Sequence, residues 1–266
     1  MKQIIKSIMA VVCITATLIT LSACSGGTNK AKKAYQNGDY TTAFELLSQS
    51  SNLDGEGKYL LGECYLNGQG TTKDKDKAVQ FFTEAANGGY IDAQRKLASY
   101  YKDERKLKEA FKWNLKLAEQ GDTAAQYQVA NEYMVGYGSG VERNIKEACK
   151  WLEKAANQGH IAAMQALGEI YLKERSFWGN TVDYDKGFSW SLKAAERGNA
   201  SAQCNVGWCY QYGYGVAQDD RKAEEWFIKA AENGERQAVR NLAINVRDGK
   251  IYNYDKVMSL IGSSTR

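Results

Sequence analysis

Two short helical signatures alternate along the 266 residues of this chain, and they constrain its fold more than any other feature. The first is an aliphatic residue, then Gly or Ala, then a Tyr three positions later. It begins at Leu61, Leu97, Val129, Leu167 and Val206, with a partial copy at Leu242. The second places a small residue three positions before an aromatic one, at Ala78, Ala110, Ala148, Gly187 and Ala223. Copies of the first signature lie 36, 32, 38, 39 and 36 residues apart, which is a period typical of helical-repeat arrays.

The spacing between the two signatures indicates which junctions are rigid. Each second signature lies 19 residues before the next first signature, whereas the distance in the other direction varies from 13 to 20 residues. Length differences therefore collect in the loop from the first helix to the second helix of each pair. Because one helix pair cannot bury its apolar face alone, we expect the pairs to stack and share a core.

The small residues of the first signature are expected to let helices approach closely, and the aromatic residues of the second to fill the core. The small residues are Gly62, Ala98, Ala130, Gly168, Gly207 and Ala243. The aromatic series includes Trp113, Trp151, Trp190 and Trp226. The chain contains no Pro, so nothing forbids helix over most of its length.

These repeats resemble the Sel1-like repeat, a relative of the tetratricopeptide repeat. The fifth copy shows this well, with Val206-Gly207, Tyr210, Gly213-Tyr214-Gly215-Val216, Asp219, Lys222-Ala223, Trp226 and Ala230-Ala231. Five full copies cover residues 53–234, although the second lacks the Gly-x-Gly loop and the fourth replaces it with Ser176-Phe177-Trp178-Gly179-Asn180. The resemblance implies an all-α fold, a right-handed α/α solenoid of stacked helical hairpins.

A single helical-repeat domain is predicted over residues 29–266. A helix pair at 29–50, whose turn looks like that of a tetratricopeptide unit, is expected to cap the amino-terminal end. A shortened partial repeat at 235–261 is expected to cap the other end.

The amino terminus reads as an export and lipidation signal. Residues 1–23 combine two early Lys residues with an apolar run and no acidic residue, which predicts a cleaved signal peptide. The run ends in Leu21-Ser22-Ala23-Cys24, which resembles the bacterial lipobox and implies lipid attachment at Cys24, followed by a short tether at 24–28. The alternative is an ordinary signal with an incidental Cys. We therefore expect an exported protein anchored by lipid in the bacterial cell envelope, on the outer-membrane or periplasmic side in a Gram-negative cell.

The net charge of the mature chain argues against a nucleic-acid partner. Removing residues 1–23 takes away two of the 35 basic residues and none of the 31 acidic ones, so the mature net charge is +2. That charge provides no strong field for nucleic acid, and no nucleic-acid partner is predicted.

Catalytic motifs are sparse. The single His, His160, follows a turn Gly and is expected to be exposed and inert. The segment Gly136-Tyr137-Gly138-Ser139-Gly140 could suggest a phosphate cradle, but it follows a helix and lacks the Lys-Ser/Thr ending, so a helix-terminating turn is favoured. Acidic residues such as Asp74 and Asp219 are expected to cap helices. We predict no enzyme activity, no cofactor and no metal site.

Four cysteines lie within the repeats, at Cys64, Cys149, Cys204 and Cys209. Cys204 and Cys209 are five residues apart on one predicted helix, which separates them by about 7.5 Å along its axis and prevents a disulfide. Cys64 and Cys149 belong to repeats that are not neighbours. All four are interpreted as small apolar core residues.

In tetratricopeptide relatives the first helix of each pair lines the concave surface. If that phase holds, the exposed positions lie two before, and two and five after, the Leu or Val of the first signature. Cys204 occupies one of these positions. The predicted partner-binding residues, which include Tyr212 one residue beyond this spacing, are Tyr59, Arg95, Tyr127, Asn131, Met134, Trp208, Tyr212, Arg240 and Arg247. The last four are expected to form an aromatic and cationic cluster, which is the chemistry that protein anchor sites favour.

Three functions remain open at this stage. The leading interpretation is a lipid-anchored, non-enzymatic scaffold or adaptor that binds an envelope protein of unknown identity. The second is an immunity protein that neutralises an envelope-targeted toxin such as a lipase. The third and weakest is binding or hydrolysis of cell-wall fragments or β-lactams, which the cysteine-rich branch of the same family suggests.

Overall fold

A computed structural model describes residues 28–173 and 182–264. The signal peptide, Cys24 and the loop from Ser176 to Asn180 lie outside these residues. Every regular element in the described ranges is a helix, as the sequence predicts. The helices are α1 (28–36), α2 (Tyr40–Ser48), α3 (Gly55–Asn67), α4 (Lys75–Asn87), α5 (Ile91–Asp103), α6 (Leu107–Glu119), α7 (Thr123–Val135), α8 (Ile145–Asn157), α9 (Ile161–Leu172), α10 (Tyr184–Glu196), α11 (Ala200–Tyr212), α12 (Asp220–Glu232), α13 (Arg236–Arg247) and α14 (Tyr254–Ser264).

The chain divides into two compact bodies, an amino-terminal body up to Leu117 and a carboxy-terminal body from Ala118 onward. The odd-numbered helices from α3 to α13 carry the first signature and are called A helices. The even-numbered helices from α4 to α12 carry the second signature and are called B helices, together with the shorter α14. The expected all-α helical-repeat fold is therefore confirmed.

Within a hairpin, the small residue of the A helix lies directly against the B helix. A Cβ added to Gly207 would lie 2.6 Å from the Phe227 ring, and one added to Gly62 would lie 2.6 Å from Phe82. Gly168 faces Ser191 in the same way. The expected close approach is confirmed at these glycines. It is wrong for Ala243, which is exposed on α13.

The tryptophan series is only partly in the core. Trp113 and Trp151 are buried, but Trp190 and Trp226 are half-buried, and their rings are covered by Lys side chains three residues later. The core positions are one residue further on, where Phe82, Leu152 and Phe227 are at most 2% exposed. One residue turns the side chain by about 100°, so this position faces the A helix more directly than the Trp does.

A buried glutamine links neighbouring hairpins at three of the five junctions that keep the spacing of 19 residues. The side-chain Nε2 of Gln94 donates to the backbone oxygen of Ala86 at 3.1 Å. Gln203 bonds Ala195 at 3.1 Å in the same way, and the bond recurs between Gln126 and Ala118. Each bond joins the start of an A helix to the end of the preceding B helix and so favours a connection of fixed length. Met164 and Val239 occupy the same position at the other two junctions.

The loops within hairpins end and begin helices with local caps. Gly68, Gly136 and Gly213 adopt left-handed conformations as the C-caps of A helices, which confirms the helix-terminating turns. The next B helix begins at an Asp or Asn whose side chain accepts a backbone N–H bond, as Asp74 and Asp219 do. These carboxylates are therefore structural caps, as expected.

The carboxy-terminal end is fixed by a buried carboxylate. Glu224 on α12 is 3% exposed, and its two oxygens accept the backbone N–H groups of Tyr252 and Asn253, each at 2.7 Å. Earlier B helices carry Val79, Cys149 or Phe188 at this position. At a position where earlier repeats have an apolar side chain, the carboxylate thus clamps the loop that precedes α14 by two hydrogen bonds.

Candidate protein-interaction site

The most exposed aromatic pair on an A helix lies in the carboxy-terminal body. Trp208 and Tyr212 on α11 are 43% and 56% exposed. Their ring centroids are 6.2 Å apart in an edge-to-face arrangement, because residues i and i+4 share one side of a helix. Trp208 follows Gly207, so the core contact of this helix belongs to the glycine and the indole faces outward.

The aromatic pair continues into a row that joins two hairpins. Tyr212 stacks on Tyr214 at 5.6 Å, and Tyr214 stacks on Tyr184, the first residue of α10, at 4.3 Å. The loop can approach α10 because Gly215 lies directly against the backbone of Tyr184, where a Cβ would collide with the carbonyl. We call Trp208, Tyr212, Tyr214 and Tyr184 the aromatic row.

A cavity of about 570 Å³ opens beside this row. Its apolar wall includes Leu172, Tyr184, Cys209, Trp208 and Tyr214. This volume falls within the range of roughly 300–1,000 Å³ that is usual for small-molecule sites. The carboxy-terminal body therefore contains a cavity next to exposed aromatic residues.

The charged groups on the cavity wall neutralise each other. Lys173 Nζ lies 3.4 Å from Glu169 Oε2, and the other oxygen of Glu169 accepts a hydrogen bond from Gln165. Glu169 and Lys173 are the only charged residues among the described residues that line the cavity. The described part of the lining therefore carries no net charge.

Two thiols form part of the cavity wall. Burial raises the pKa of both Cys204 and Cys209 to about 12, so both are protonated and neutral near pH 7. Cys204, which shares the predicted exposed phase, is in fact buried in the core with Phe227 and Leu242. All four cysteines of the repeats are buried free thiols, which confirms their interpretation as core residues.

Two of the predicted binding residues instead pack at junctions between hairpins. The Tyr59 ring lies 5.5 Å from the Phe82 ring and 5.5 Å from the Tyr90 ring. Tyr127 stacks on His160 at 4.6 Å. Tyr90 and His160 are the N-cap residues of α5 and α9, so both tyrosines contact the start of the next A helix. Because both tyrosines are half-buried, they serve to pack neighbouring hairpins together and are poorly placed to anchor a partner.

The other predicted residues divide between a small cavity and open surface. Tyr127 and the half-buried Met134 line a cavity of about 210 Å³, and Asn131 is half-buried. Arg95, Arg240 and Arg247 are exposed. Arg247 pairs with Asp248 at 2.9 Å, and among the described contacts neither Arg240 nor Arg247 meets the rings of Trp208 and Tyr212. The structure does not form the expected aromatic and cationic cluster by direct contact.

The Sel1 repeat model matches five consecutive stretches of the chain, at 55–90, 91–122, 123–160, 161–199 and 200–235. The protein belongs to the Sel1 repeat family.

Solved structures agree with this assignment. A Sel1 repeat protein from Oxalobacter formigenes is 25% identical, with a TM-score of 0.68 over 89% of this chain and 98% of that one. The protein c5321, a protective antigen of uropathogenic Escherichia coli, is 28% identical with a TM-score of 0.60 over 90% of this chain. This chain covers 52% of c5321, so it spans about half of that larger protein.

His160 shows how a Sel1 repeat uses the residue after its turn. It is half-buried, and its Nδ1 accepts the backbone N–H of Ala163 at 3.2 Å as the N-cap of α9. The expected exposure of His160 is wrong, because the capping bond and the stack on Tyr127 hold the ring in place. Its role is structural.

Sequence reasoning missed Tyr184, Tyr214 and Asn205 at this Sel1 site. Tyr214 lies within the Gly213 to Gly215 loop, but the Gly-x-Gly pattern of that loop predicts only a turn. Its partner Tyr184 comes from the preceding repeat, and no spacing rule connects the two. In the described residues no cluster of three or more His, Cys, Asp or Glu could hold a metal ion, and no helix is long and apolar enough to span a membrane.

Proposed function

We propose that this Sel1 repeat protein is a lipid-anchored, non-enzymatic adaptor of the bacterial cell envelope, and that it binds a protein partner through the A-helix face of its carboxy-terminal body. The observation that carries the proposal is the exposed pair Trp208 and Tyr212 beside a cavity with an apolar wall. Exposed aromatic residues next to a concave apolar site are typical of protein-binding anchors.

Several features favour a binding role over catalysis. The thiols near the cavity are held protonated by burial, so they are poor nucleophiles. The Asp residues of the loops and His160 have structural roles as helix N-caps. The aromatic row, in contrast, leaves Trp208 and Tyr212 largely exposed.

The anchoring part of the proposal rests on the lipobox at Leu21 to Cys24. Replacing Cys24 with Ala should abolish incorporation of labelled palmitate and release the protein from the membrane fraction. A Cys13→Ala variant, which changes a thiol within the signal segment, is the matched control and should remain labelled. Wild-type protein that takes up no palmitate and fractionates as soluble would overturn the lipid anchor.

The binding part is tested by a photo-crosslinking amino acid placed at Trp208 or at Tyr212 in living cells. Both positions should capture the same protein, whereas the same group at Tyr137, which is 84% exposed on a loop, should not. Trp208→Ala should weaken binding of the captured partner by about 2 kcal/mol or more. Equal capture from Tyr137, or binding unchanged by Trp208→Ala, would contradict the site.

The identity of the captured protein separates adaptor from immunity roles. An envelope component of the same cell supports the adaptor. A secreted toxin encoded beside this gene would replace that role with the immunity function, while leaving the binding face in place.

A further inference from the structure

The exposed side of α13 carries charge of one sign only. Arg236, Arg240 and Arg247 are exposed on this helix, which contains no acidic residue and no Lys. Every other A helix contains charges of both signs, a single Glu, or no charge at all. The net charge of α13 is therefore +3, whereas that of each other A helix lies between −1 and +1. Its neighbour α11, which carries the exposed aromatic pair, has no charged residue.

Two of these guanidinium groups have no acidic partner within the described residues. Arg247 pairs with Asp248 at 2.9 Å, whereas Arg236 and Arg240 form no ion pair there. The acidic residue next to them, Glu235, is already engaged, because its two oxygens accept a Ser hydroxyl of α11 and a backbone N–H of α13. The charge of the Arg residues is thus left for a group outside this body.

Hydrogen bonds set the register of α13 against α11. Gln211 Nε2 donates to Asn245 Oδ1 at 2.9 Å, and the buried Asn241 also contacts α11 through a 3.5 Å hydrogen bond. In this register Trp208 lies level with Ile244, which occupies the equivalent place in the next repeat, 36 residues later. Trp208 and Ile244 are 43% and 44% exposed, so neighbouring helices present large apolar groups at the same level.

The Arg residues lie at both ends of this apolar centre. Arg236, Arg240, Ile244 and Arg247 follow one another at spacings of four, four and three residues, so they share one side of α13. Arg236 and Arg247 are eleven residues apart, which is about 16 Å along the helix axis. We call these four residues together with Trp208 the basic apolar face.

The chemistry of this face is complementary to an acidic segment with an apolar residue in it. A guanidinium group forms paired hydrogen bonds with a carboxylate, and Trp and Arg are the residues on which protein interfaces depend most. The chain uses Arg sparingly, since only ten of its 35 basic residues are Arg, yet α13 carries three of them. A face that only needed to be soluble would not require charges of one sign.

We infer that the basic apolar face binds a segment of a protein partner in which a large apolar side chain is flanked by Asp or Glu residues. The apolar side chain lies against Trp208 and Ile244, and the carboxylates pair with Arg236 and Arg240 at one end and with Arg247 at the other. This inference rests on the proposed function and names the chemistry of the partner that the adaptor recognises.

An anionic membrane surface is the competing partner, because Arg also binds phosphate groups. The shape beside the face favours a protein segment. Trp208 and Gln237, which adjoins Arg236, both line the cavity of about 570 Å³. A protruding side chain can enter such a recess, whereas a flat bilayer contacts only the residues that stand out from the surface.

The test compares two peptides on the full-length protein. One is an acetylated peptide with a central Trp and Glu residues on each side, and the other has Gln in place of every Glu. NMR signals of the Trp208 indole N–H and the Arg240 side-chain N–H report binding. The Glu peptide should bind about tenfold more tightly at low salt, as expected for two or three exposed ion pairs, and added salt should remove the preference.

The double variant Arg236→Gln with Arg240→Gln should abolish the preference for the Glu peptide. Arg95→Gln is the matched control and should keep it, because Arg95 occupies the position of Arg240 in its own repeat but lies in the amino-terminal body, where it pairs with Asp92. Trp208→Ala should weaken binding of both peptides and leave their ratio unchanged.

Equal binding of the two peptides, or a preference that survives the double variant, would overturn the inference. Vesicles of phosphatidylglycerol that bind the wild type but not the double variant, while the Glu peptide fails to bind, would replace the acidic segment with a membrane surface. A partner crosslinked from Trp208 in cells should be lost in the double variant. Undiminished crosslinking there would keep the adaptor and overturn acidic recognition, whereas an intact peptide preference with no partner crosslinked from Trp208 would contradict the adaptor.

Discussion

The two bodies use the same A-helix face in different ways. In the amino-terminal body Tyr59 packs on Phe82 and Tyr90, and Glu63 pairs with Lys96 of the next A helix at 2.8 Å. In the carboxy-terminal body the position equivalent to Glu63 is Trp208, which is exposed beside the cavity. The face of α3 is therefore closed by its own contacts, whereas the face of α11 is open. The repeat thus determines the core, while single residues decide whether a face is available for binding.

The largest expected effect tests whether the two cores are equivalent. Phe82 and Phe227 occupy the same position in their repeats, are almost fully buried and face Gly62 and Gly207. Phe82→Ala and Phe227→Ala should each cost about 3–5 kcal/mol of unfolding free energy, because each leaves a cavity in the core. Urea unfolding, with hydrogen exchange in α4 and α12 to locate the loss, measures both. A loss confined to one variant would contradict equivalent cores.

A smaller effect separates the two faces. Tyr59→Ala should cost about 2 kcal/mol, because it removes a half-buried ring that joins two hairpins. Trp208→Ala should stay within about 1 kcal/mol, as expected for an exposed residue. Thermal unfolding of both variants provides the comparison. If Trp208→Ala is the more destabilising change, the indole has a structural role and the prediction of an open face on α11 is wrong.

The smallest effect should be shared by both bodies. Backbone N–H bonds lower the pKa of the capping residues Asp74, Asp183 and Asp219 below their ordinary value. Their contribution to stability is complete above the unfolded pKa of about 3.9 and is lost as the pH falls through the lower folded pKa. Repeat three provides a natural control, because Asn144 caps α8 without a charge.

Asp74→Asn and Asp219→Asn should each therefore flatten the loss of melting temperature on acidification, in opposite bodies and by similar amounts. Melting curves recorded from neutral pH to below pH 3 would show this. An unchanged acid dependence in both variants would show that these caps do not contribute to the loss of stability at low pH.

The sequence predicts the fold because its signatures repeat along the chain. Gly62 and Gly207 each face a Phe ring of the next helix, so one pattern locates both. The binding face is harder to predict than the fold, because it depends on single residues that differ from the repeat pattern. The phase borrowed from relatives places Tyr127 on an open surface, but a residue two positions before the signature is close enough to the next N-cap to stack on His160. The cavity arises from Tyr184 and Tyr214 in successive repeats, and a local pattern does not register such a pair.

Glu224 has a consequence for how this array can change in evolution. Tandem repeats lengthen by unequal recombination, which inserts whole copies between existing ones. A copy of one of the first four repeats, inserted between α12 and the loop at Tyr252, would separate the Glu224 carboxylate from the two N–H groups that satisfy it. It would leave a buried charge without partners, which is strongly destabilising. Insertions elsewhere keep this clamp together, so lineages of this protein should differ in their inner repeats and retain the last one with its acidic residue.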